Sequence, residues 1–220
     1  MNTTVNDMLA GSEFFNTEYL PYSWLIPAVL FIITIGLTGY SFRYPGTRSS
    51  TALKLFLALV YLLSGLSVWL GMQHTDMKSA ISGTIILWLY GVLFLLDALW
   101  WRKIIFRIPR PVDLRIAMIL LMLMGLFYPV FELSLGYYWP RMVLFGSECP
   151  TTTFVIGLLT GSLPKTNKWI LGILATNAVL VGGYVGLNGF LVDAITYFPA
   201  GIVGWIMMIR YWKTTKIKTT

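Results

Sequence analysis

The sequence predicts an all-α integral membrane protein: seven transmembrane helices in one domain over residues 1–220, N-terminus outside and C-terminus inside. Three observations carry that prediction. First, 57% of the 220 residues are hydrophobic and only 11% are charged, far from the balance of a soluble domain. Second, the apolar residues fall in blocks about twenty long, the length that an α-helix needs to cross a hydrocarbon core, without the alternating or amphipathic spacing of soluble elements. Third, most of the charges cluster between the blocks. The net charge of +7 therefore describes topology and not affinity for nucleic acid.

The blocks place spans at 22–40, 52–72, 81–101, 114–136, 149–163, 168–187 and 189–210. Residues 1–20 carry Asp7, Glu13 and Glu18 but no Lys or Arg. They lack the basic flank of a secretory signal peptide, so the first span is expected to be retained. With the N-terminus outside, fourteen of the sixteen Lys and Arg residues fall inside, from Arg43, Arg48 and Lys54 to Arg210, Lys213, Lys216 and Lys218. Only Lys78 and Arg141 fall outside, and this bias sets the orientation. Trp24, Trp100, Trp101, Trp139, Trp169 and Trp212 lie where an interfacial aromatic belt is expected.

The fifth block, Phe145 to Leu163, is the exception to the plain pattern. Pro150 opens a helix well, because its missing N–H would have no intrahelical acceptor there. From Pro150 to Leu163 the helix covers only about 20 Å of a core about 30 Å thick. Its start, with Glu148, Cys149, Thr151, Thr152 and Thr153, is therefore expected below the membrane surface. There, polar groups and free backbone N–H groups must face protein or water, an arrangement that transporters use as a ligand or ion site.

Carboxylates within spans are costly, so each needs an account. Asp97 lies about one turn before Arg102 and Lys103 and is expected to pair with them. Glu132 follows Pro129, which frees the carbonyl of Gly125, and Asp193 precedes Pro199, which frees that of Ile195. Both carboxylates fall on the outer side with Arg141, Glu148 and Cys149. The expected ligand site is thus Glu132, Arg141, Glu148, Cys149, Thr151, Thr152, Thr153 and Asp193, an outward-facing polar pocket around the start of the fifth helix. In the plainer alternative the carboxylates only reach the headgroups, one of them pairing Arg141.

Several chemistries are disfavoured. One cysteine excludes an internal disulfide, and one histidine, His74 in an outer loop, argues against a His/Cys metal centre. There is no Gly-rich phosphate loop, no paired-aspartate motif for magnesium pyrophosphates and no lysine in the middle of the last span for a retinal Schiff base. No metal or cofactor is expected, and no nucleic acid. Membrane lipids and a small molecule are the expected partners.

The run from Tyr128 to Leu159 contains YP, then Gly136 and Pro140, then Phe145, Gly146, Cys149, Pro150, Thr151, Thr152 and Phe154. This FG-x-x-CPTT-x-F pattern resembles an uncharacterised family of small bacterial multi-span membrane proteins, a domain of unknown function. The resemblance implies a place in a prokaryotic cytoplasmic membrane and implies no activity. Glu148 stands where the family tends to have proline, and Trp69 about where a histidine is usual, so no shared histidine chemistry carries over. IGLTG at Ile35–Gly39 and IGLLTG at Ile156–Gly161 raise a weak repeat of spans 1–3 in spans 5–7, as in sugar-transporting bundles.

Three function classes remain. The leading one is a transporter or binding protein for a small solute or ion. The second is a membrane-embedded enzyme in which Glu132 or Asp193 donates a proton to a lipid or isoprenoid substrate. The third is a scaffold without turnover.

Overall fold

In the computed structural model, residues 3–212 are described; Lys213, Lys216 and Lys218, expected inside, lie outside them. The chain begins with helix α1 (Thr3–Glu18), followed by α2 (Tyr22–Arg43), α3 (Thr47–Met72) and α4 (Met77–Leu96). A five-residue π-helical turn, Asp97–Trp101, ends α4. An extended connection leads to α5 (Val112–Leu126) and α6 (Tyr128–Ser134), then come α7 (Glu148–Gly161), α8 (Lys168–Leu187), α9 (Leu191–Ile195) and α10 (Tyr197–Arg210).

Five of these stretches are long and apolar enough to cross a membrane: Tyr22–Arg43, Thr47–Met72, Met77–Trp101, Lys168–Leu187 and Leu191–Arg210. A sixth exists if α5 and α6, bent by 62°, count as one span. The expected straight span over 114–136 is therefore broken. Phe127 leaves helical geometry two residues before Pro129, as the ring of that proline demands. The expected fifth span is α7, whose 14 residues are too few to cross alone.

All residues of α7 from Pro150 to Gly161 are buried. A helix that is apolar or small on every side belongs in the centre, and α5, α8 and α10 surround it. The α5–α7 contact runs backbone to backbone. A Cβ on Gly125 would lie 2.6 Å from the Phe154 nitrogen and the Pro150 oxygen, and one on Gly157 would lie 3.0 Å from the Met118 oxygen. Where lipid is as apolar as the protein, such close approach of small residues is what holds helices together. Gly36 and Gly39, the counterparts of Gly157 and Gly161 in the first IGLTG, face open space. Helix α2 lies at the edge, with Ile32 and Ile35 exposed, as are all six belt tryptophans.

Helix α1 packs across the end of the bundle that carries the start of α7, burying Val5 and Leu9 against Tyr128, Phe190 and Val192. Its Asn16 side chain donates to the carbonyls of Pro140 (2.7 Å) and Met142 (3.0 Å). Asp76 caps α4 by accepting from Lys78 and Ser79. The Ser79 hydroxyl and N–H hold its carboxyl below the ordinary aspartate range.

Two expectations about charge are corrected at the opposite end. Asp97 does not pair with Arg102 or Lys103. Its Oδ2 accepts from Lys54 Nζ at 3.0 Å and from the Ile104 N–H at 3.1 Å, and its Oδ1 accepts from Asn167 at 3.1 Å. Lys54 is accordingly buried in α3 and is not a loop cation. The connection after the π-turn is drawn over the bundle end, with Ile104 and Phe106 fully buried and the Phe106 N–H donating to Ser50 Oγ at 3.0 Å.

Candidate functional site

A cavity of about 660 Å³ opens beneath α1. Its walls are apolar: Ile26 and Leu30 from α2, Leu63 and Leu70 from α3, Ile86 from α4 and Val181 from α8. The floor is polar, made by Ser147, Glu148 and Cys149 at the start of α7 and by Asp193 of α9.

Local backbone chemistry sets that floor. Gly146 adopts φ +98, a left-handed conformation that glycine takes without the clash a side chain brings, and this turns the chain into α7. The helix start has no side-chain cap; instead Thr151 Oγ1 accepts from the Gly146 N–H at 2.9 Å, and Ser64 donates to the Gly146 carbonyl. Pro150 sits in the first turn, where no N–H is required. Above, α9 ends at Ile195 and α10 restarts at Tyr197, so Asp193 lies on a separate short turn aimed at α7.

Two hydrogen-bonded clusters result. Asp193, fully buried, accepts from the Tyr128 hydroxyl at 2.5 Å and from Cys149 Sγ at 3.3 Å. Glu148 Oε1 accepts from Asn177 Nδ2 at 2.6 Å and from the Tyr197 hydroxyl at 3.3 Å, and Asn177 also donates to Tyr197 at 2.8 Å. One turn deeper, Tyr61 donates to Thr152 Oγ1 at 3.2 Å, while Thr153 Oγ1 is buried with no partner among the described residues.

Among the described residues, Glu132, Glu148 and Asp193 have no Lys or Arg within ion-pair distance; the ion pairs are Lys54–Asp97, Arg141–Glu13 and Arg210–Asp113. A buried carboxyl without a cation beside it is neutral or is compensated by what binds there. No group of three or more metal-ligating side chains occurs among the described residues.

The structure thus brings Glu148, Cys149 and Asp193 to one surface and sets Thr151, Thr152 and Thr153 directly below it. It does not bring Arg141 there. That side chain is exposed and pairs with Glu13 at 2.6 Å, so neither Glu132 nor Asp193 uses it. Glu132 is buried behind the floor, where both carboxyl oxygens accept from the Val143 N–H at 2.9 and 3.1 Å; it holds the loop that edges the cavity.

Sequence reasoning missed Asn177, Tyr197 and Tyr61. For Asn177 a signal existed, since an amide in the middle of an apolar span rarely stands without a partner. No local signal marks the tyrosines, which read like belt or core aromatics.

No curated protein and no solved structure matches the chain. A match over residues 12–219 is found to DUF6064, a family of unknown function, and the chain belongs to that family.

Proposed function

We propose that this is a multi-pass protein of the cell membrane that binds, and passes on, a small amphipathic solute taken from the outer side. In this reading α7 counts as a seventh, partial crossing, the N-terminus is outside and the C-terminus inside. The observation that supports it most is the cavity of about 660 Å³ with apolar walls and a carboxylate floor. A ligand suited to it has an apolar body and a head that is cationic or rich in hydrogen-bond donors, because Glu148 and Asp193 offer acceptors and no basic side chain answers them. Tyr61, Phe94, Ile104 and Phe106 are fully buried and do not line the cavity, so in this reading a transport cycle requires a second state in which the opposite end opens.

Native mass spectrometry of the full chain in nanodiscs tests the reading. Wild-type protein should carry a small molecule that is lost from both Glu148→Gln and Asp193→Asn, variants that keep side-chain size and elute as folded protein. A wild-type protein without any bound small molecule, or equal occupancy in both variants, overturns it.

A second reading, an embedded enzyme acting on a lipid or isoprenoid, draws on Asp193, which Tyr128 and Cys149 flank beside the apolar walls. Asp193 would then be the proton donor. Incubation with the co-purified molecule separates the two, because an enzyme converts it and a binding protein returns it unchanged.

A further inference from the structure

At the other end of α3, far from the outer cavity, a groove of about 460 Å³ lies between the first turn of that helix and the π-helical turn after α4. Its polar lining is Thr47, Arg48, Thr51 and Arg102, and its apolar wall is Ala52, Leu55, Ala98 and Leu99. We propose that this groove binds an anionic phospholipid, the phosphate at the rim and an acyl chain along the wall.

Four features point there. Neither guanidinium, of Arg48 or of Arg102, has an acceptor among the described residues, and two arginines flanking one groove suit a phosphate oxyanion through charge-assisted, forked hydrogen bonds. Helix α3 begins at Thr47, after Gly46, without a side-chain cap, so its first N–H groups and the positive end of its dipole add to the same rim. The wall then turns apolar. Leu55 stands eight residues into α3, about 12 Å along its axis, and Leu55 and Leu99 are exposed on a surface that lipid tails cover. A free inorganic anion has no use for that wall; a phospholipid does.

The π-turn supplies the fourth feature. It inserts an extra residue in the last turn and ends on Arg102 in a left-handed conformation, φ 49, fixed by its N–H bond to the Asp97 carbonyl at 2.8 Å. A non-glycine residue there is costly, and its effect is to bring the second arginine beside the first turn of α3. Exposed Arg43 closes α2, and exposed Lys103 and Arg110 lie in the connection that follows the π-turn; basic pockets between spans on the cytoplasmic side suit anionic headgroups.

The full chain in nanodiscs, titrated by native mass spectrometry with phosphatidylglycerol against phosphatidylcholine, tests the proposal. Wild type should prefer phosphatidylglycerol. Arg48→Gln, an exposed helical position that leaves the fold alone, should reduce the preference about tenfold, and Arg48→Gln with Arg102→Asn about a hundredfold, at roughly one charge-assisted hydrogen bond to the phosphate for each arginine lost. Asn is chosen because it tolerates the left-handed backbone. Arg43→Gln with Arg110→Gln removes the same charge from the same face outside the groove and should change the preference less than twofold. Equal losses in the two double variants would reduce the effect to general surface charge and overturn the site. Inorganic phosphate is the remaining arm. If it displaces the lipid at millimolar concentration and its binding vanishes in Arg48→Gln, the groove is a site for free anions, and the lipid assignment fails.

Discussion

Asp97 and Lys54 lie 43 residues apart and are both buried, at 0% and 1% exposure. Taking two charges out of water is repaid only when further hydrogen bonds support the pair, and here Lys54 also donates to the Asp97 carbonyl while Ile104 and Asn167 donate to the carboxylate. Lys54→Met strands a carboxylate in the interior and should cost about 3–5 kcal/mol. The double change Lys54→Met with Asp97→Leu removes both charges and should recover more than half of that loss. Thermal unfolding in detergent micelles checks both values; additive losses in the double variant would show that the two side chains do not act as a pair. The sequence made the acid conspicuous but not its partner. Arg102 and Lys103 were near in the chain, whereas the pairing with Lys54 depends on α3 packing against the end of α4, a non-local fact. The same blindness assigned Arg141 to the pocket, when α1 brings Glu13 to it instead.

Elements were legible where length alone decides. Apolar blocks gave α2, α3, α4, α8 and the α9–α10 pair, and the shortness of α7 was evident from Pro150 and Pro164. Which helix stands in the centre was not legible. An apolar helix facing lipid and one facing protein have the same composition, so α2 and α7 look alike in sequence while one is exposed and the other enclosed. The discriminating residues are Gly125 and Gly157, whose hydrogens make the α5–α7 approach possible. Gly125→Val puts a side chain within 2.6 Å of backbone atoms that cannot turn aside and should destabilise the protein by about 1–3 kcal/mol or more through overpacking. Gly39→Val meets nothing within 4 Å and should stay within about 0.5 kcal/mol of wild type. Comparing the two melting temperatures in one detergent tests the centrality of α7, and similar losses at both glycines would contradict it. Helix α1 had no hydrophobic signature of its own, and its roofing position follows from Asn16, whose two carbonyl acceptors lie more than a hundred residues away.

At the scale of the molecule, charge and cavity belong to opposite ends. The cavity, Lys78 and Arg141 lie at the end of α3 that carries Met72, and Arg48, Arg102, Arg107 and Arg110 lie at the other. Lys54 drops out of the basic count because Asp97 neutralises it, yet the asymmetry survives that correction. Translocating a cluster of arginines is disfavoured relative to leaving it in the cytoplasm, so the expected orientation puts the cavity outside. Single-cysteine variants in a Cys149→Ala background test this. Thr75 lies in the α3–α4 connection and Arg110 before α5, both exposed. Thr75→Cys should react with a membrane-impermeant maleimide on intact cells, and Arg110→Cys only after the membrane is opened. The reverse pattern would turn the molecule over, place the carboxylate floor toward the cytoplasm and reject uptake from outside as its role.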